Sequence, residues 1–293
     1  MKINNKQKNN ISDLFSINIG PIGLDLSKLR HFLKKDVDCN IVLLMAKRFI
    51  KIFNYHGVAT QQIPRLMPQI KLEHLKDLPE SLIPALTEDV ISRVVDLFKI
   101  RRSWLEGLGN RIYEPNFYYK RPDYFFRDVA LTDLNCKETC RPIIAVCQTD
   151  VFNIHKNNKQ NIVLVFLEKI AELNDDDINR YIVSDNWDWT YFKSRIQLKA
   201  MVRVLHKTKG TVIPLYKIDS SIFEKIKNGL LVPNIDFLNA THLSEYSLED
   251  FSLYSEESYV SKEDEELPLV ENYIEKYNLY DLAFKFFNNN EQL

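Results

Sequence analysis

Thr87–Leu108, TEDVISRVVDLFKIRRSWLEGL, is the stretch whose reading decides the first half of the fold. Thr87 is a good N-cap, because a threonine hydroxyl accepts from an orphan N–H of the first helical turn. Val90, Ile91, Val94, Val95 and Phe98 then recur at the spacing of one helix face. Arg101–Gly107 adds a closing turn with Trp104 and Leu105 folded back. Upstream, Cys39–Tyr55 places Ile41, Leu44, Met45, Phe49, Ile52 and Phe53 on or near one face, with Asp38 as a cap and Gly57 as a stop. Between them, TQQIPRLMPQIKLEHLKDL predicts two short helices, one opened by Thr60 and one over Ile70–Leu78.

This arrangement resembles the DNA-binding domain of Cro/C1-type (lambda-repressor-like) helix-turn-helix proteins. Thr60-Gln61 matches the family's opening Ser/Thr-Gln pair, and Ile70 the aliphatic residue after the turn. Leu75 and Leu78 match the inward pair of the recognition helix, and LFKIRRSWLEGL the closing helices. The chain departs from the pattern at Pro64, at Pro68 in a lengthened turn, and at Leu72, a position that is often polar. The resemblance implies a DNA-binding set of Thr60, Gln61, Lys71, Glu73, His74 and Lys76. In that scheme Gln61 touches phosphate, Lys71 donates to guanine, Glu73 accepts from cytosine, and His74 does either or packs on a thymine methyl.

Charge is divided along the chain. Residues 1–128 hold 21 Lys and Arg against 14 Asp and Glu, whereas residues 129–293 hold 18 against 26. A basic half of +7 suits a polyanionic partner, and the acidic tail accounts for much of the contrast. So modest an excess predicts a homodimer on double-stranded DNA.

The remaining sequence reads as a mixed α/β region. PIIAVCQTDVF and NIVLVFLEKI predict strands, Trp189–Lys207 a helix, Thr211–Ile218 a strand and Ser221–Asn228 a helix. The expected organisation is a mobile arm and short helix (1–36), a helix-turn-helix domain (37–110) and an aromatic, basic linker (111–135). An α/β domain for sensing or oligomerisation (136–243), an acidic loop (244–268) and a C-terminal helix (269–293) follow. The fold class is therefore multi-domain: an all-α helix-turn-helix domain followed by a mixed α/β domain. The aromatic and basic residues of Glu114–Ala130 either stack on bases or pin the linker to a domain surface, and pinning is the commoner fate. The Tyr/Phe-rich helix 269–287 is a candidate dimer contact, with core packing as the alternative.

Other chemistry is thin. Seven glycines include no phosphate-loop motif, and no HExxH or GxSxG occurs. The serine motif of self-cleaving repressors is absent as well. Cys136, Cys140 and Cys147, with His155 nearby, have spacings that fit no common zinc knuckle, and Cys147 reads as a buried thiol. Asp175-Asp176-Asp177 reads as a solvated turn in preference to a cation site, and Trp187, Trp189, Asp185 and Asp188 as packing in preference to a pocket. No cofactor, metal or catalytic residue is expected. The longest apolar run, Ile162–Leu167, is far short of a membrane span, and the lysine-bearing start lacks the apolar core of a secretory signal. The resulting expectation is a cytoplasmic, sequence-specific transcriptional regulator that is not an enzyme, with a small-molecule or protein signal at its C-terminal domain. The alternatives are a protein-interaction module of a mobile-element or toxin–antitoxin system, and an enzyme with an active site in the α/β region.

Overall fold

The computed structural model describes residues 26–133, 142–148, 161–234, 238, 240–252 and 266–288. By contacts the chain divides into residues 1–40 and 41–293. The described part of the first unit is helical, the beginning of α1 (Leu26–Tyr55). The architecture below is that of the second unit.

From Ile41 onward α1 buries Ala46, Phe49, Ile52 and Phe53, residues three or four apart and so on one face. Gly57 (φ 79°) then turns the chain away. A 3-10 turn (Thr60–Gln62) leads into the single turn of α2 (Ile63–Leu66). Two further 3-10 segments, Leu72–Leu75 and Glu80–Ala85, connect to α3 (Glu88–Phe98) and α4 (Arg102–Leu105). The Thr87 hydroxyl caps α3, accepting from the Val90 N–H at 3.4 Å. Trp104 is buried, and Arg48 of α1 lies over its ring at 5.3 Å while donating to the carbonyls of Trp104 and Gly109. Leu44, Leu75 and Leu78, read as facing inward, are half-buried.

The α-helix expected over Ile70–Leu78 is not formed; one 3-10 turn takes its place. Pro68 and Pro79 bracket the segment and stop propagation on both sides. Side chains take the bonds a longer helix would use. His74 Nδ1 accepts from the Lys71 N–H at 3.1 Å, and Ser81 Oγ donates to the His74 carbonyl and accepts from the Asp77 N–H. Thr60 is likewise not the cap. Ala59 holds that position, and Gln62 Oε1 accepts its N–H at 3.0 Å.

Residues 111–135 are more than a linker, because α5 (Pro122–Asp133) forms there and buries Phe125, Phe126, Val129 and Ala130. Beyond it lies a six-stranded mixed sheet of β1 (Ile143–Cys147), β2 (Asn161–Leu173), β3 (Asp176–Val183), β4 (Trp187–Asp188), β5 (Pro214–Lys217) and β6 (Thr241–Ser247). The order is β3-β2-β1-β5-β6, with β4 pairing β2. Neighbours are antiparallel except β1 and β5, which run parallel and so need a crossover. The crossover contains α6 (Phe192–Lys209), and α7 (Ser220–Lys227) joins β5 towards β6. The acidic triplet falls at the β2–β3 hairpin. Asn174 and Asp175 take the positive φ values (55° and 70°) of a two-residue turn, and Asp177 pairs with Lys169. β6 runs past residue 243, where the acidic loop was expected to start, because its edge completes the pairing of β5.

Alternation along the strands divides the core. Ile144, Val146, Val163, Val165, Ile178 and Val183 face α1, α3 and α7 in one hydrophobic cluster. Ile143, Ala145, Cys147, Ile162, Leu164 and Phe166 face α5, α6 and the C-terminal helices in the other. Helical residues 46–113 thus share one continuous core with the sheet. The expected helix 269–287 is two helices, α8 (Leu267–Lys276) and α9 (Leu279–Asn288), broken where Asn278 has φ 47°. They bury Val270, Ile274, Leu279, Ala283 and Phe287 within this chain's own core. The α6 helix is buried along most of its length, cations included. Arg195 and Lys199 bind Glu266, and Arg203 binds Glu271. No helix among the described residues is long and apolar enough to cross a membrane.

Candidate nucleic-acid interface

The six residues chosen from the sequence lie along one surface loop. Gln61, Lys71, Glu73 and Lys76 are exposed, and Thr60 and His74 are half-buried. Glu73 sits between two of the others, 3.9 Å from Lys71 and 3.8 Å from His74, so part of the positive charge is neutralised locally. Leu72, at the position that is often polar, is 62 % exposed. Thr60 reaches back to α1, donating to Asn54 Oδ1 at 3.4 Å.

That bond ties the loop to residues the sequence reading left out. Lys47, Lys51 and Asn54 are exposed on α1 at intervals of four and three, opposite its buried face. With Ile50, Tyr55, Leu78 and Pro79 they line an open groove of about 430 Å³. Lys51 Nζ lies 5.1 Å above the Tyr55 ring. The signal was present in the helical period of α1, but only the apolar half of that period was used. Among the described residues the face offers ammonium and amide donors, groups that hydrogen-bond to phosphates and base edges.

A second site lies on the other side of the sheet. The turn before α5, the start of α6 and the exposed side of α8 enclose an open groove of about 420 Å³. Tyr119, Tyr191, Phe192, Tyr273 and Tyr277 line it together with Ile196 and Leu269. Lys120, Lys193 and Lys276 rim it, and no described carboxylate lines it. Each lysine lies over a ring: Lys120 at 5.2 Å from Tyr119, Lys193 at 5.8 Å from Phe192 and Lys276 at 5.3 Å from Tyr277. Tyr119 and Tyr191 share a hydroxyl bond, and burial followed by that bond raises the Tyr119 pKa. Burial, with Tyr277 and Tyr119 nearby, pushes the Tyr273 hydroxyl up to about 12, so these phenols are neutral donors at neutral pH. The aromatic, basic stretch thus divides: Tyr118, Phe125 and Phe126 are core, while Tyr119 and Lys120 face the groove.

Elsewhere, polar and aromatic groups are held by packing and local bonds. Trp187 and Trp189 are buried, and Asp188 Oδ1 accepts the Thr190 and Tyr191 N–H groups ahead of α6. His56 is buried between Phe98 and Tyr181. Its Nδ1 bonds the Ile52 carbonyl at 2.7 Å and its Nε2 the Tyr113 hydroxyl at 3.1 Å. Burial, only partly offset by the Ile52 bond, pushes its pKa down to about 4. Cys147 is buried; Cys136, Cys140 and His155 lie outside the described residues. No group of three metal-ligating side chains occurs among the described residues. Comparison with protein-family models, curated proteins and solved structures finds no match to this chain.

Proposed function

We propose that this chain is a DNA-binding regulatory protein that engages duplex DNA through α1 and the loop 60–78. One observation carries the reading: Lys47, Lys51 and Asn54 are exposed side by side on α1, and the Thr60 hydroxyl bonded to Asn54 opens a loop in which Gln61, Lys71 and Lys76 are exposed. The Cro/C1-type resemblance at Thr60-Gln61 and in LFKIRRSWLEGL supports it, as does the basic first half. A four-residue 3-10 turn is too short to lie along a major groove as a recognition helix does. Lys71, His74 and Lys76 therefore act, with Lys47 and Lys51 of α1, mainly in positioning on phosphates, Glu73 orienting Lys71 and His74, and base readout passes to the Asn54 amide on the exposed side of α1. One such face reads few base pairs, so the reading includes a second copy on a paired half-site. The sheet and C-terminal helices then serve as the regulatory part.

The test is binding of the full chain to a mixed-sequence duplex, followed by fluorescence anisotropy across a salt series. Replacing both Lys47 and Lys51 by alanine removes two phosphate contacts, so the salt slope falls by about two. An unchanged slope with unchanged affinity would remove this face from consideration.

A further inference from the structure

We infer that the aromatic–lysine groove formed by the 117–121 turn, α6 and α8 binds a short single-stranded segment of nucleic acid. This is separate from the duplex face, which lies on the opposite side of the sheet and uses none of the same residues.

Three observations lead there. The first is exposed apolar area. Of the ten large hydrophobic side chains exposed among the described residues, Tyr191, Phe192, Leu269 and Tyr277 line this one groove. Clustered exposure of this kind marks binding surfaces, whereas scattered exposure does not. The second is charge. Three ammonium groups and no described carboxylate make the groove selective for anions. The third is a held conformation. Lys120 has φ 62°, a left-handed backbone uncommon for a side-chain-bearing residue. Gln197, itself only 8 % exposed, fixes that turn by accepting the Lys120 N–H at 2.9 Å. Backbone strain of this kind collects at ligand sites.

The identity of the ligand follows from the repeat of ring and cation. Tyr119 with Lys120, Phe192 with Lys193, and Tyr277 with Lys276 give three neighbouring pairs. A single strand repeats an unstacked base and a phosphate, so each ring takes a base face and each displaced lysine a phosphate. In a duplex the base faces are already stacked and leave the rings unused. An acidic peptide satisfies the lysines alone, and a mononucleotide fills one pair of the three.

The full chain is titrated with a labelled pyrimidine oligonucleotide of about eight nucleotides, as DNA and as RNA. Parallel arms use the matching duplex, a nucleoside monophosphate and polyglutamate. Phe192→Ala and Tyr277→Ala alter half-exposed rings outside the core. Each is expected to weaken single-strand binding about tenfold or more, while duplex binding stays unchanged. Lys193→Ala and Lys276→Ala are expected to lower the salt slope, and unchanged thermal melting verifies folding. A preference for DNA or RNA assigns the strand type and supports the proposal either way. The proposal is overturned by no single-strand binding, by affinity insensitive to both ring variants, or by polyglutamate or the mononucleotide binding as tightly as the oligonucleotide. Loss of duplex binding in the Lys47/Lys51 variant would leave this result untouched, so the two readings fail independently.

Discussion

Replacing Glu266 by glutamine tests how the C-terminal helices are anchored. Glu266 stands just before α8 and accepts from two cations of α6. Arg195 donates to it through both Nε and a terminal nitrogen, and Lys199 Nζ lies 2.9 Å from Oε2. The Arg195 side chain is 9 % exposed and that of Lys199 2 %, so neither cation can recover its hydration by moving slightly. Burial pushes the Glu266 carboxyl up, but the bonds from Arg195 and Lys199 outweigh it and hold the pKa below the usual carboxylate value. Removing one member of a buried ion pair costs about 3–5 kcal/mol. The low end applies, because Arg195 also donates to the Trp189 carbonyl and the Lys199 ammonium sits 5.8 Å from the Trp189 ring. A loss of about 3 kcal/mol corresponds to a fall in Tm of roughly 6–12 °C for a unit of this size. Urea unfolding monitored by tryptophan fluorescence should show the midpoint move with little change in slope. Glu271→Gln, at a carboxylate more exposed than Glu266, should have a smaller effect. A Glu266→Gln protein within about 0.5 kcal/mol of the parent would refute the claim that this cluster anchors α8.

Other predictions concern the opposite face. His56 titrates near 4 when folded and near 6.5 when unfolded, so the unfolded chain binds more protons between those values. Its contribution is therefore present above about pH 6.5 and is lost as pH falls towards 4, by about 3 kcal/mol in all; His56→Phe should flatten that part of the stability–pH curve. Gly229→Ala should destabilise by about 3 kcal/mol or more, because a Cβ there would stand 2.2 Å from the Tyr113 carbonyl oxygen with φ at 67°. Chemical denaturation measures that loss, and a near-neutral result would mean that the 112–113 segment can move away. Thr87→Ala should cost about 1 kcal/mol through the lost α3 cap, read as a small shift in urea midpoint.

What the sequence disclosed depended on how local each signal was. Thr87 and the Val90–Phe98 stripe lie within one helix, and the structure places the cap and the buried face where they were expected. The Ile/Val runs of β1 and β2 likewise declare themselves by composition, being buried on both faces. The helix over 70–78 failed because leucine spacing was weighed above the prolines at 68 and 79 and the side-chain bonds of His74 and Ser81. β6 was missed because Thr241–Ser247 has no strong apolar run and depends on pairing with β5. The break at Asn278 needed a left-handed residue inside a stretch that reads as continuous helix. The aromatic–lysine groove was harder still, because residues near 119, 192 and 273 meet only once α6 and α8 are docked. Of its contributors, only the 114–130 stretch had suggested base stacking, and there Tyr118, Phe125 and Phe126 became core while Tyr119 and Lys120 reached the groove.

The alternation of the central strands has a practical consequence for probing the molecule. Along β2, Val163 and Val165 point towards the layer that holds Lys47 and Lys51, while Ile162, Leu164 and Phe166 point towards the layer that holds Phe192 and Tyr277. Methyl resonances from neighbouring positions on one strand thus act as separate reporters. A duplex bound on one side should shift the odd-numbered set, and a single strand bound on the other should shift the even-numbered set. If occupancy on one side were felt on the other, both sets would respond together, and the four consecutive methyl-bearing residues Ile162 to Val165 would be enough to detect it.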